Sequence, residues 1–296
     1  MIHTLKGLGV AMITPFKKDL TIDVEALKTL TNHLVENGAD YLVVMGTTGE
    51  TPVLDKEDKK RVLDTILSTN AGRKPIVLGM GGNNTHELCL QLDRMETTGI
   101  SALLSVAPYY NKPTQNGMFE HYKAVSEHSK LPIILYNVPG RTGSNMLAET
   151  TLRIAFDCRN VIGIKEASGN PEQVMAIIKD RRKDFLVISG DDALTLPFIA
   201  AGADGVISVV GNAFPSEFGA MVHHSLKSEF TEARALHYRL LEITQLMFAE
   251  GNPAGVKEVL SHLDICEHYL RLPLVPVSQT TSERMRKVMM DEELIK

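Results

Sequence analysis

Eight short apolar runs, each followed by an amphipathic stretch, constrain the fold of this chain more than any other feature. They lie at residues 9–13, 41–45, 75–80, 102–106, 132–137, 161–165, 185–189 and 205–209, at intervals of roughly 20 to 35 residues. Runs that are apolar on both faces belong in parallel sheets whose two sides are covered. Eight repeats of strand then helix predict an α/β fold, a closed (β/α)8 TIM barrel. An open doubly wound sheet is the alternative. No G-x-G-x-x-G follows the first run, which argues against it. The expected organisation is a barrel over residues 1–228 and a C-terminal helical segment over 229–296 that packs on it.

The stretches between runs carry helical signals. Val24, Leu27, Leu30 and Leu34 recur at helical spacing after Asp23, an N-cap residue type, and Gly38 stops them. Leu88, Leu92 and Met95 stripe a third helix that Gly99 ends. Beyond residue 226 the pattern predicts helices over 230–250, 254–263 and 282–294. Pro253 stands where a first-turn proline belongs.

The bulk numbers exclude several classes. A net charge of −5 gives no footprint for nucleic acid or an anionic membrane. Cys89, Cys158 and Cys266 lie far apart with no C-x-x-C, and the histidines form no ligand pair. Sparse cysteines, a first segment without an apolar signal core and apolar runs too short to span a membrane lead us to expect a soluble, cytoplasmic protein.

In barrels of this class chemistry sits where strands end. Those positions hold Gly46-Thr47-Thr48-Gly49-Glu50, Pro108-Tyr109-Tyr110, Tyr136-Asn137-Val138-Pro139-Gly140-Arg141-Thr142, Lys165-Glu166-Ala167-Ser168 and Ser189-Gly190-Asp191-Asp192. Each has a plain alternative. The threonines suit either a helix cap or an anion-binding turn. The tyrosines suit packing, and Asp191 and Asp192 suit helix caps better than metal ligation. Gly79, Gly81 and Gly82 lack the Lys-Ser/Thr of a phosphate loop and read as a turn.

Lys165 closes the run Val161-Ile162-Gly163-Ile164-Lys165. Burial disfavours an ammonium unless it is paired, and a neutral amine attacks carbonyl carbon to form a Schiff base. The plain alternative is a lysine that reaches solvent or pairs with Glu166. Tyr136 is suited to moving protons beside such an amine. Thr47 and a second tyrosine could relay them outward. Arg141 offers a two-pronged site for a carboxylate. The implied substrates are a small keto acid and a carboxylate-bearing partner.

The motifs Gly46-Thr47-Thr48-Gly49-Glu50, Tyr136-Asn137-Val138-Pro139-Gly140-Arg141-Thr142 and Gly163-Ile164-Lys165-Glu166-Ala167 resemble those of the dihydrodipicolinate synthase family, over nearly the whole chain. The tyrosine and lysine motifs are shared with other pyruvate-dependent aldolases, such as N-acetylneuraminate lyase and 2-keto-3-deoxy sugar acid aldolases. Thr47-Thr48 and Arg141 discriminate against these. The resemblance implies condensation of pyruvate with aspartate-4-semialdehyde in lysine (diaminopimelate) biosynthesis, with no cofactor and no metal. It implies an imine on Lys165 and a proton relay of Tyr136, Thr47 and Tyr110, the last from a neighbouring subunit. It gives the pyruvate carboxylate to Thr48 and the second carboxylate to Arg141, with Gly190 and Ile207 lining the pocket by main-chain contacts. The implied assembly is a homotetramer, a dimer of dimers. A lysine effector site would use Asn83, Glu87 and Tyr109. Pro52, Lys56 and Lys59 depart from the residue types of lysine-sensitive relatives, so weak or absent feedback inhibition is expected.

Overall fold

The computed structural model describes residues 2–295. Its eight strands are β1 Gly7–Ala11, β2 Tyr41–Val44, β3 Ile76–Gly79, β4 Ala102–Val106, β5 Ile133–Asn137, β6 Val161–Glu166, β7 Leu186–Ser189 and β8 Gly205–Ser208. They close in sequence order, every neighbouring pair parallel, with β8 returning to β1. The expected barrel is therefore the observed one. β1 begins and ends two residues earlier than its apolar run: Gly7 pairs with Gly205, whereas the Ile13 amide donates to the Asn212 side chain.

Alternation along each strand sorts the apolar residues into two layers. Tyr41, Val43, Leu104, Ile134, Leu186 and Ile188 fill the barrel interior, and Leu42, Val44, Leu103, Ile133 and Val187 pack with the helices outside. β6 breaks the alternation once. Ile133 of β5 pairs with Val161 and Ile134 with Gly163, so Ile162 is an extra residue in β6. In consequence Val161 and Ile164, three apart, both face the helices, and Lys165 turns inward. Gly163 occupies the bulge because a Cβ there would meet the Leu186 backbone oxygen and Cβ at 2.8 Å.

Asp23 caps the helix Val24–Glu36 by accepting from the Ala26 amide, and Gly38 takes a φ of +108° at its exit. The third helix runs Thr85–Arg94 and stops one residue before Met95, whose backbone is extended. After the Pro215–Leu226 helix come Phe230–Ala249, Ala254–His262 and Gln279–Asp291. Pro253 is the N-cap of the second of these rather than its first turn. The last helix starts earlier than its apolar pattern, because the Ser278 hydroxyl accepts from the Thr281 amide and caps it there. Two bonds carry these helices to the barrel's catalytic-type rim: Asn252 to Thr48 and Lys257 to Glu50. Among the described residues no helix is long and apolar enough to cross a membrane.

Candidate active site

A cavity of about 700 Å³ opens at the C-terminal ends of the strands. Thr47, Thr48, Tyr136, Arg141, Lys165 and Gly190 all line it. Six residues from the ends of four strands and the loops that follow them thus converge, although nearly half of the chain separates Thr47 from Gly190.

Lys165 and Tyr136 face each other across the β5–β6 register. The amine lies 4.5 Å from the centre of the Tyr136 ring, and the lysine is 6% exposed. Glu166 does not pair with it. That carboxylate points the other way and accepts from Asn137 Nδ2 (3.0 Å), Gln173 Nε2 (2.9 Å) and the Ser168 amide (2.7 Å). Among the described residues Lys165 has no carboxylate partner and no hydrogen-bond acceptor. Gly190 leaves room for it: a Cβ there would approach the Lys165 Cε to 3.0 Å and the Ala167 Cβ to 2.7 Å.

The threonine pair sits in a single 3-10 turn, Thr47–Gly49, whose N-cap Gly46 makes no side-chain cap bond. The next long helix is capped by Asp55 instead. Neither threonine therefore serves as a helix cap. The Thr48 hydroxyl accepts from Asn252 Nδ2 at 3.0 Å, and Thr14 and Thr51 hydroxyls hold the Gly49 and Gly46 carbonyls. Arg141 rides on the one-turn helix Pro139–Thr142, exposed on the cavity wall and without a carboxylate partner among the described residues.

Asp191 does act as a turn cap, accepting from the Leu194 amide. Asp192 is different. It is buried, lines the cavity and accepts from the Ser208 hydroxyl and the Val209 amide. Burial pushes its carboxyl up to about 6, against the opposing pull of those two donors and of Lys165. Among the described residues no group of three or more His, Cys, Asp or Glu side chains is arranged to hold a metal ion.

The remaining expected residues lie elsewhere. Ile207 is buried inside the barrel and does not line the cavity. Tyr110 is 85% exposed, outside the cavity of its own chain, and holds a left-handed φ of +68°. Asn83, Glu87 and Tyr109 are exposed, with the Asn83 amide donating to the Tyr109 carbonyl at 3.1 Å. Sequence reasoning missed Asn252, Lys257 and the inward role of Asp192. The available signal was a charged pair, Lys257-Glu258, inside the otherwise apolar run Ala254–Leu260.

The comparisons with known proteins agree with this geometry. The sequence profile of the "Dihydrodipicolinate synthetase family" matches residues 4–292. A 4-hydroxy-tetrahydrodipicolinate synthase of Parabacteroides distasonis is 53% identical over 285 residues, 96% of each chain. The crystal structure of dihydrodipicolinate synthase from Thermotoga maritima superposes with a TM-score of 0.96 at 39% identity, over 99% of this chain and 100% of that one. The chloride-inhibited enzyme of Acinetobacter baumannii, complexed with pyruvate, superposes at 0.95 with 35% identity, over 98% and 100%.

Proposed function

The chain belongs to the dihydrodipicolinate synthetase family, and from that premise we propose that it condenses pyruvate with L-aspartate-4-semialdehyde to 4-hydroxy-tetrahydrodipicolinate, on the lysine (diaminopimelate) pathway. The observation that carries this reading is an inward lysine at the floor of the cavity with no carboxylate to hold it as a structural cation.

The Lys165 amine adds to the C2 carbonyl of pyruvate, and the carbonyl oxygen leaves as water to give the imine. Loss of a C3 proton makes an enamine, whose carbon adds to the aldehyde while the aldehyde oxygen takes up a proton. The amino group of the second substrate then attacks the imine carbon, closes the ring and releases Lys165. Tyr136 stands where protons must move around the amine, and Thr47 extends that path toward the cavity mouth. The Thr48 hydroxyl holds the pyruvate carboxylate, and Arg141 the carboxylate of the aldehyde. Gly190 gives the backbone a close approach to the ligand, and Ile207 supports the floor from below.

Tyr110 completes the relay from a neighbouring subunit, in a homotetramer built as a dimer of dimers. Its exposure outside its own cavity supports that role. Asn83 and Tyr109, joined by a hydrogen bond, and Glu87 in the first turn of the helix Thr85–Arg94 form the effector site for lysine.

Borohydride reduction in the presence of pyruvate tests the reading. It is expected to add a reduced three-carbon unit to Lys165 and to nothing else. Label that maps elsewhere, or that survives Lys165→Ala, would refute it.

A further inference from the structure

We propose that Asn252 is a positioning residue for the keto-acid carboxylate, acting through Thr48. The inference rests on Thr48 as the carboxylate-binding residue. A hydroxyl has one proton and can give it to one acceptor. Asn252 Nδ2 donates to the Thr48 oxygen at 3.0 Å. That bond uses an acceptor lone pair of the hydroxyl and leaves its proton for a ligand in the cavity, which both residues line. Asn252 thereby sets the polarity of Thr48 rather than its place alone.

The surroundings hold both partners still. Thr48 is 2% exposed and Asn252 8%. Two residues beyond Thr48, the Glu50 carboxylate meets Lys257 Nζ at 2.5 Å, with both side chains fully buried. Lys257 also donates to the Tyr269 carbonyl, and the second Glu50 oxygen accepts from the Arg271 amide. The turn before Lys257 is packed so closely that a Cβ on Gly255 would meet the Met247 carbonyl oxygen at 2.3 Å. A tail segment from residue 252 to 257 is thus fastened to the loop from residue 48 to 50 at both ends. The amide's other end, Oδ1, is buried without a hydrogen-bond partner among the described residues.

The test uses the full chain and compares Asn252→Asp with Asn252→Ala, each alone and with Thr48→Val. The readout is the pyruvate concentration that half-saturates borohydride trapping on Lys165, which needs no second substrate. Asp is isosteric with Asn but accepts where Asn donates, so it captures the Thr48 proton. It is expected to raise the half-saturating pyruvate about tenfold or more, and Ala only about threefold, since Ala leaves the proton free. In the Thr48→Val background the Ala effect is expected to vanish and the Asp effect to shrink to the repulsion between its charge and the keto-acid carboxylate. A packing role predicts the reverse order, because Ala leaves a hole and Asp does not; that order, an Ala effect that persists without the hydroxyl, or an undiminished Asp effect there, would overturn the proposal. Should Asn252→Asp not fold, Asn252→Leu removes the donor without offering an acceptor; it is expected to match Ala within about twofold, and a tenfold loss there overturns the proposal equally. Wild-type protein that traps no pyruvate would instead refute the function on which the inference rests.

Discussion

Lys165 and Lys257 are both buried, one at the end of β6 and the other in the tail helix Ala254–His262, and they are held in opposite ways. Lys257 has no exposed surface and is tied to Glu50, the Tyr269 carbonyl and the face of the Phe16 ring. Burial still pushes its ammonium below the usual lysine range, against the pull of Glu50. Lys165 has the Tyr136 ring on one side and an open cavity on the other. A lysine whose contacts are all made is an anchor. One that is desolvated but unpaired has its reactive atom left over for a ligand. Burial alone does not separate the two; the partner does.

The sharpest way to break this contrast is to remove each amine. Lys165→Met is expected to lower turnover about ten-thousandfold while the unfolding midpoint barely moves. Lys257→Met is expected to do the converse. It strands a buried Glu50 carboxylate and should destabilise the fold by about 3–5 kcal/mol in urea titrations, with Glu50→Gln in the same chain recovering part of the loss. Comparable loss of stability in both variants would erase the distinction between anchor and reactive group.

A smaller effect comes from Asp192, whose carboxyl burial pushes up against a slight opposing pull of Lys165. With its native carboxyl raised to about 6 from 3.8, the folded state binds the proton more tightly than the unfolded chain. The stability this contributes is fully present below about pH 4 and is lost as pH rises through about 6. Asn at this position should remove that pH step and gain on the order of 2–3 kcal/mol at pH 7.5 relative to wild type. In Lys165→Met the step should move to higher pH. A wild-type stability curve flat between pH 4 and 7 would contradict the coupling.

Arg141 is the second cation on the cavity wall without a carboxylate, but it is exposed, so solvent screens it. Arg141→Ala should cost about tenfold in kcat/KM for the aldehyde and leave pyruvate trapping intact. Unchanged efficiency would take the arginine out of substrate binding. The smallest expected effect concerns Lys56, which is exposed, and Lys59, which is half-buried, at the positions that the family resemblance sets beside the effector residues. L-lysine at about 1 mM is expected to leave more than half of the activity, since Lys56 and Lys59 add like charge there. Half-inhibition below that concentration would show that both side chains stay clear of the effector.

The strands were legible because each is apolar on both faces, which amphipathic helices are not. The reactive cluster followed from one rule, that barrel loops gather at the strands' C-terminal ends, applied to Thr47, Tyr136, Arg141 and Lys165. The tail's share was not legible. Asn252 and Lys257 meet residues more than 200 positions earlier, and no local pattern reports a contact at that range. The twin aspartates looked alike in sequence, yet Asp191 caps a turn and Asp192 crosses to β8. Only the direction of each side chain distinguishes them.

The extra residue in β6 has a consequence for folding fidelity. A strand that paired without it would exchange Lys165 and Glu166 between the two layers. The ammonium would then lie among Val161, Ile164 and the helices, and the carboxylate would lose Asn137, Gln173 and Ser168 as donors. Both errors are costly, and both arise from the same slip. The adjacent charges of β6 therefore act as a register lock, making the misaligned sheet unstable before any substrate is met.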